Sequence, residues 1–309
     1  MFKKLFLFLL LLSPLASIPA QAADKIKVVA TTRTLASITQ EIVRDKAEVY
    51  SIASPHRDIH FVTPTPKDVM KMQAADVFVH GGLDLEAWRG PLVDAVGRSE
   101  FLWPGGEKQI DVSKGIHLLE IPASLSRIQG DIHAYGNPHY WLDPLNAKII
   151  AQNIAEELGR IYPEDADLFR RNAKEFQNKI DQKMKEWESQ AAPYKGSPLV
   201  VYHNTWPYFM ERFGFAVLGF LEPQPGIPPT ARHLQELTRI MKEKTAKVIV
   251  KEIFHESRAP KKLAKETGAS ILTLDTETGA VKADYFSLID HNLQELIRAL
   301  QSSKKGSVS

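Results

Sequence analysis

The residues best placed to do chemistry in this chain are histidines, ten in all, and three of them stand in unusual positions. His139 lies in GNPHYWLDP, between a turn-forming Gly-Asn-Pro and an aromatic pair, just ahead of Asp143, Pro144 and a helix-like run. His203 falls where the apolar run PLVVY stops, and His60 follows the strand-like VYSIA by a short loop. Asp275 ends another strand-like run, SILTL. In open α/β sheets, ligands bind outside the carboxyl ends of strands. A cleft between two such sheets can therefore gather all four side chains. Three imidazoles and one carboxylate complete a tetrahedral site for a first-row divalent ion, with imidazole suiting zinc. The spacing is long-range, so the residues alone leave a second reading open: His60 and His139 as loop residues and Asp275 as a turn residue. His80, His233 and His291 are read as ordinary packed or surface histidines.

The elements that must position these residues alternate between strand and helix. IKVVATT, AEVYSIA and DVFVHGG read as strands, with LASITQEIV, PKDVMKMQAA and LEAWRGPLVDAVG as helices around them. Such βαβ units imply a mainly parallel sheet. The segment 105–136 is less regular and reads as including a surface loop. Asp143 then caps a helix that has Pro144 at its first position, and Pro163 breaks that helix. A longer helix follows from about Ala166 to Gln190, with Phe169, Phe176, Ile180, Met184 and Trp187 at helical spacing. After it the βα pattern restarts and runs to a last helix, DYFSLIDHNLQELIRAL. The fold class expected is α/β: two lobes with mainly parallel sheets flanked by helices, joined by one long rigid helix, with the site in the cleft. The expected boundaries are 1–23 for a signal peptide, 24–164 for the first lobe, 165–192 for the linking helix and 193–309 for the second lobe.

Hydrophobic residues at 44% and charged residues at 25% are ordinary for a globular chain. Lys3 and Lys4, the apolar Leu5 to Leu12 and Ala20-Gln21-Ala22 read as a secretory signal peptide cut after Ala22 or Ala23. With no cysteine, the chain has neither a lipoprotein anchor nor disulfides, and a periplasmic location is expected. The 39 basic side chains, less the two lysines of the leader, equal the 37 acidic ones. That balance gives no reason to expect nucleic acid or anionic lipid as a partner.

At these same residues the chain resembles the periplasmic zinc/manganese-binding proteins of ABC importers, the cluster A-I solute-binding proteins. HFVTPTPKDVMKMQAADVFVHGGLDLEAW is similar to that family's first ligand segment, and GNPHYWLDP to its PHxWLDP signature. VYHNTWPYFMERFGF, EPQPGIPPTARHL and TGASILTLDTETG resemble, in order, its third ligand segment, its EPSP loop and its terminal ligand loop. The resemblance spans nearly the whole mature chain. It implies a fold of two α/β lobes joined by a long helix, and metal ligands at His60, His139, His203 and Asp275. The family's DPH wording would also fit His56, but the register of Pro66 and Asp68 selects His60. The long acidic and histidine-rich loop of many zinc members is reduced here to an interval holding His117 and His133. His133 and the 105–136 loop are candidates for assisting capture.

The function implied is capture of Zn²⁺ by a His₃Asp site and delivery to an ABC-type membrane permease, by a protein acting as a monomer. A periplasmic metallochaperone is a further candidate partner. Mn²⁺ is the alternative cargo. A third histidine favours zinc, because the softer nitrogen ligand suits it better. A secreted zinc hydrolase and a metal-dependent adhesin are the rivals from other classes. Four protein ligands leave little room for substrate, and the chain has no HExxH motif.

Overall fold

The computed structural model describes residues 24–102, 105–123, 133–279 and 283–305; the expected signal peptide, 1–23, and the stretch 124–132 of the 105–136 segment lie outside the described residues. Two four-stranded parallel sheets dominate. In the first, β1 (Ile26–Ala30), β2 (Ala47–Ser51), β3 (Val77–His80) and β4 (Gln109–Asp111) lie in the order β2-β1-β3-β4. In the second, β5 (Pro198–Val201), β6 (Ala216–Phe220), β7 (Val248–Glu252) and β8 (Ser270–Leu274) take the same arrangement, β6-β5-β7-β8. In each sheet the chain starts on an inner strand and adds neighbours on both sides. That leaves a switch point at the carboxyl ends, where α/β sheets bind ligands. β4 is an addition to the expected elements. It has three residues, Gln109, Ile110 and Asp111, paired in parallel with β3, too few to show a strand period.

The helices are set by local signals. α1 (Arg33–Val43) starts at Thr32, whose side chain accepts from Leu35 N. α2 (Pro66–Gln73) opens with a capping box between Thr65 and Asp68. α3 (Arg89–Val96) leads towards β4. α4 (Pro144–Ile161) is capped by Asp143, which accepts from Leu145 N. α5 (Ala166–Ala191) has 26 residues and is therefore about 39 Å long. Phe169, Ala173, Phe176, Ile180, Met184, Trp187 and Ala191 form one buried stripe along it, three to four residues apart as an amphipathic helix requires. In the second lobe, α6 (Pro207–Phe213) ends at Gly214, whose φ of 76° is left-handed, a conformation that glycine adopts without the Cβ penalty. α7 (Ala231–Glu243), α8 (Arg258–Thr267) and α9 (Tyr285–Lys305) complete the chain.

The lobes are not separate cores. One continuous hydrophobic cluster runs from Val28, Ile38 and Val79 through Ile150, Phe169 and Trp187 to Leu199, Val250 and Leu296. Cross-lobe hydrogen bonds tie its rim. Trp141 Nε1 donates to Thr276 O at 2.9 Å, and Tyr285 Oη to Trp141 O at 2.8 Å. Thr34 N donates to Glu277 Oε2 at 2.7 Å. Arg212 of α6 forms a two-pronged ion pair with Asp143 at the start of α4, 2.7 Å at each oxygen.

Candidate metal centre

Each of the three histidines arrives on a different kind of corner. His60 lies in a single 3-10 turn after β2 (Ile59–Phe61). His139 stands just before the turn Tyr140–Leu142 that leads into α4. His203 follows β5 by two residues. The fold brings one ligand atom of each to within 4.8 Å of the others. His139 is 2% exposed, and Tyr140 and Trp141 beside it are 0% and 2% exposed, so the inner wall is closed off from bulk solvent. His56, the alternative in the first segment, is exposed.

The orientation of the rings is more informative than their proximity. His60 Nδ1 lies 2.6 Å from Asp58 Oδ1, His139 Nδ1 lies 3.0 Å from Asn137 Oδ1, and His203 Nδ1 lies 2.7 Å from Glu222 Oε2. With Nδ1 of each ring facing an oxygen acceptor, the proton belongs on Nδ1 and the lone pair on Nε2. This is the arrangement that fixes a metal-ligating imidazole. His60 Nε2 is buried and has no hydrogen-bond partner. Such an atom is costly to leave unmet, and a cation satisfies it.

Electrostatics follow from the same contacts. Burial, then the charges of His60, His203 and His133, hold His139 well below the usual imidazole value. His139 is therefore neutral and ready to coordinate at neutral pH. Burial also pulls His203 down, but its hydrogen bond to Glu222 and the charge of Glu252 outweigh this, and its pKa lies above the ordinary value. Burial pushes Asp58 up, while hydrogen bonds and charge from His60 overcome that and keep it ionised.

Asp275 is not part of the three-histidine cluster. It is buried, follows the edge strand β8, and exchanges backbone hydrogen bonds with the Asn292 side chain of α9. Its Oδ2 lies 3.9 Å from His291 Nε2. A cavity of about 270 Å³ adjoins the imidazoles, lined by Asp58, His60 and His133 from the first lobe and His203, Glu222 and His255 from the second. The ring of His133 is 5.1 Å from that of His60. Burial and the charges of His60 and His203 push His133 down to about 3.

The family described as zinc-uptake complex component A, periplasmic (ZnuA), matches residues 28–299. The chain belongs to this family. It is 30% identical over 296 residues to the iron-binding protein YfeA of Yersinia pestis, covering 91% of this chain and 88% of that one. It is 27% identical over 279 residues to the high-affinity zinc uptake system protein ZnuA of Bacillus subtilis strain 168, covering 88% and 87%. A crystal structure of ZnuA superposes with a TM-score of 0.77 at 23% identity, over 89% of this chain and 99% of that one, which establishes the shared fold. Members of the ZnuA family are metal-binding, substrate-binding components of ABC importers and not enzymes, which sets the hydrolase reading aside. No helix among the described residues is long and apolar enough to cross a membrane.

Asp58, Asn137 and Glu222 were absent from the sequence reading. Two of them had a visible signal. Asp58 and Asn137 each precede their histidine by two residues, and each accepts from that histidine's backbone N–H as well, both at 3.0 Å. This is the local turn that Asx side chains favour. Glu222 gave no such signal, because it reaches His203 only through the pairing of β5 with β6. His255 was missed too; its ring stacks on Tyr202 at 4.1 Å and lies 5.9 Å from His203.

Proposed function

We propose that this protein captures Zn²⁺ in the periplasm with His60, His139 and His203, takes Asp275 as fourth ligand, and delivers the ion to the membrane permease of an ABC importer. The observation that carries the reading is the shared orientation of the three rings, each with Nδ1 engaged by an oxygen and Nε2 left for coordination. Three neutral nitrogens favour zinc over iron(II) and manganese(II) along the usual affinity order for divalent ions. Asp275 supplies a charge-neutralising oxygen. Titration of the metal-free protein with Zn²⁺, Fe²⁺ and Mn²⁺ tests the choice. One zinc per chain, bound more tightly than either rival ion, is expected. Tighter manganese or iron binding would transfer the role to that ion and leave the site assignment standing. Export through cleavage after Ala22 or Ala23, without a lipid anchor, belongs to the same proposal; cell fractionation with mass measurement of the mature chain tests it.

A further inference from the structure

The loops that carry His139 and His203 come from opposite lobes, and one side chain outside the histidine cluster holds both. Glu120 Oε2 accepts from Asn137 Nδ2 at 3.0 Å and from Asn204 Nδ2 at 2.6 Å. Asn137 is the residue that orients the His139 ring, and Asn204 directly follows His203. Asn137 Nδ2 also donates to Asn204 O at 2.8 Å, so the two loops meet at the place where the carboxylate grips them.

Glu120 reaches this position at a conformational cost. Its φ is 54°, the left-handed region that residues other than glycine seldom occupy. The backbone beside it is pinned: Leu119 N donates to Tyr208 Oη at 3.0 Å, Leu119 O accepts from Asn137 N at 2.9 Å, and Tyr208 Oη donates to Asn137 O at 2.8 Å. Asn204 shows a second cost. Its Oδ1 is buried and has no hydrogen-bond partner. Turning the amide over would set that oxygen against the Glu120 carboxylate, so Glu120 fixes which way it faces. Strain and unmet polar atoms persist where the surroundings over-determine them, and they concentrate at functional sites.

We propose that Glu120 is a positioning residue that clasps the His139 and His203 segments across the cleft and slows the escape of the captured ion. This rests on the reading that those histidines hold the ion. Glu120 is not itself in the ligand cluster. Release requires His139 and His203 to part, and two hydrogen bonds to one ionised acceptor resist that movement more than neutral ones do.

The test uses Glu120→Gly and Glu120→Gln in the full chain. Glycine accepts the left-handed backbone without strain, so this variant keeps its folding stability while losing the clasp. Two quantities are read: the rate of Zn²⁺ release to excess chelator, and amide hydrogen exchange over 137–140 and 203–206 in the metal-free protein. Glu120→Gly is expected to release zinc at least about tenfold faster, the change that loss of even one hydrogen bond to a charged group carries, Glu120→Gln to release it faster by a smaller factor because its neutral oxygen still accepts, and both to exchange faster in both segments. Wild-type release rates would overturn the proposal, as would unchanged exchange in the two segments. Should the wild-type chain take up no zinc, or bind it equally well without His139, the metal reading fails. The exchange result in the metal-free protein still decides the clasp, and unchanged protection there overturns it.

Discussion

The two lobes share a strand order and differ in what they do with the strand ends. In the first lobe the ends of β1 and β3 are closed off by Glu86, which accepts from Thr31 Oγ1 at 2.6 Å and from Gly81 N at 2.7 Å. Its proposed ligands, His60 and His139, stand on later turns, and each is oriented by an Asx residue two places before it. In the second lobe the proposed ligands come directly after strands: His203 follows β5 and Asp275 follows β8. His203 is oriented by Glu222, 19 residues away at the end of β6. One lobe presets its imidazoles by local sequence, and the other by sheet pairing. Locally oriented ligands stay in place whenever the turn forms, whereas His203 depends on the second sheet being assembled.

The largest effect should come from His139→Ala, which removes a proposed ligand whose orientation is set locally. Zinc affinity is expected to fall by more than about 100-fold, beyond the range for loss of a supporting residue, with the far-ultraviolet spectrum unchanged. Competition against a chelator of known affinity measures it, and retained affinity would remove His139 from the site.

The orienting residues come next and address the comparison directly. Glu222→Gln should weaken zinc binding by roughly 10- to 100-fold, and Asn137→Ala by about tenfold. Only the first should change the proton balance. His203 has a pKa above the ordinary value because of Glu222 and Glu252, against the pull of burial, so it keeps its second proton to higher pH than a free imidazole does, and zinc must displace it. Calorimetry in buffers of different ionisation heat should show fewer protons released by Glu222→Gln than by the wild type. Equal proton release in the two proteins would mean that Glu222 does not set the state of His203.

A histidine outside the cluster provides a control. His80 closes β3, is 0% exposed, and faces Gln109 Oε1 at 3.0 Å. Burial, with Arg89, pushes its pKa down to about 4. Its folded value lies below its unfolded one, so the unfolded chain takes up the proton first. Stability contributed by neutral His80 is thus present above about pH 6.5 and is lost as the pH falls towards 4. In His80→Gln that loss is absent, and the stability gap between wild type and variant should narrow by a kcal/mol or two over this window. Urea unfolding at pH 7 and pH 5 reads the gap, and zinc affinity at pH 7 should be unchanged.

Most of this architecture was legible because its signals are local. The stripe from Phe169 to Trp187 announced α5, Asp143 and Pro144 announced the start of α4, and the apolar runs ending at Tyr202 and Leu274 announced strand ends. β4 was not legible, since three residues cannot display a period and its pairing with β3 is tertiary. The same division holds at the site. His60, His139 and His203 could be selected from their positions, and Asp58 and Asn137 were available two residues upstream. Glu222, His255 and the Glu120 clasp depend on which strands and loops become neighbours, and no spacing in the chain encodes that.

A smaller effect is expected where the lobes are bolted together away from the histidine cluster. Arg212→Ala removes the two-pronged bond to Asp143, whose side chain is 10% exposed against 29% for the arginine. Folding stability should drop by about 1–3 kcal/mol, with zinc affinity within about twofold of wild type, an energy of about 0.4 kcal/mol. A large loss of affinity would show that the second lobe's hold on α4 reaches His139, and the two modes of orientation would then not be independent.

The smallest effect concerns shape. A hinge between lobes needs an interface that can open, yet here the hydrophobic cluster is continuous from Val28 to Leu300. The long helix α5 serves both halves: Asn172 Nδ2 donates to Ile42 O of α1 at 2.7 Å, and Trp187 Nε1 donates to Asp290 Oδ1 of α9 at 2.7 Å. Opening the lobes would expose that apolar surface at roughly 25 cal/mol per Å² and break the Trp141 to Thr276 and Thr34 to Glu277 links as well. A local displacement of one turn costs less, because it leaves most of that cluster packed. Metal entry and exit should therefore proceed by local displacement of the imidazoles and their turns, not by a swing of one lobe. Small-angle scattering of the metal-free and zinc-loaded protein is expected to give radii of gyration agreeing to about 1 Å, the displacement scale of pre-organised binding surfaces. A difference of several ångströms would reveal a hinge, and the continuous core would then have to divide at a plane that its packing does not show.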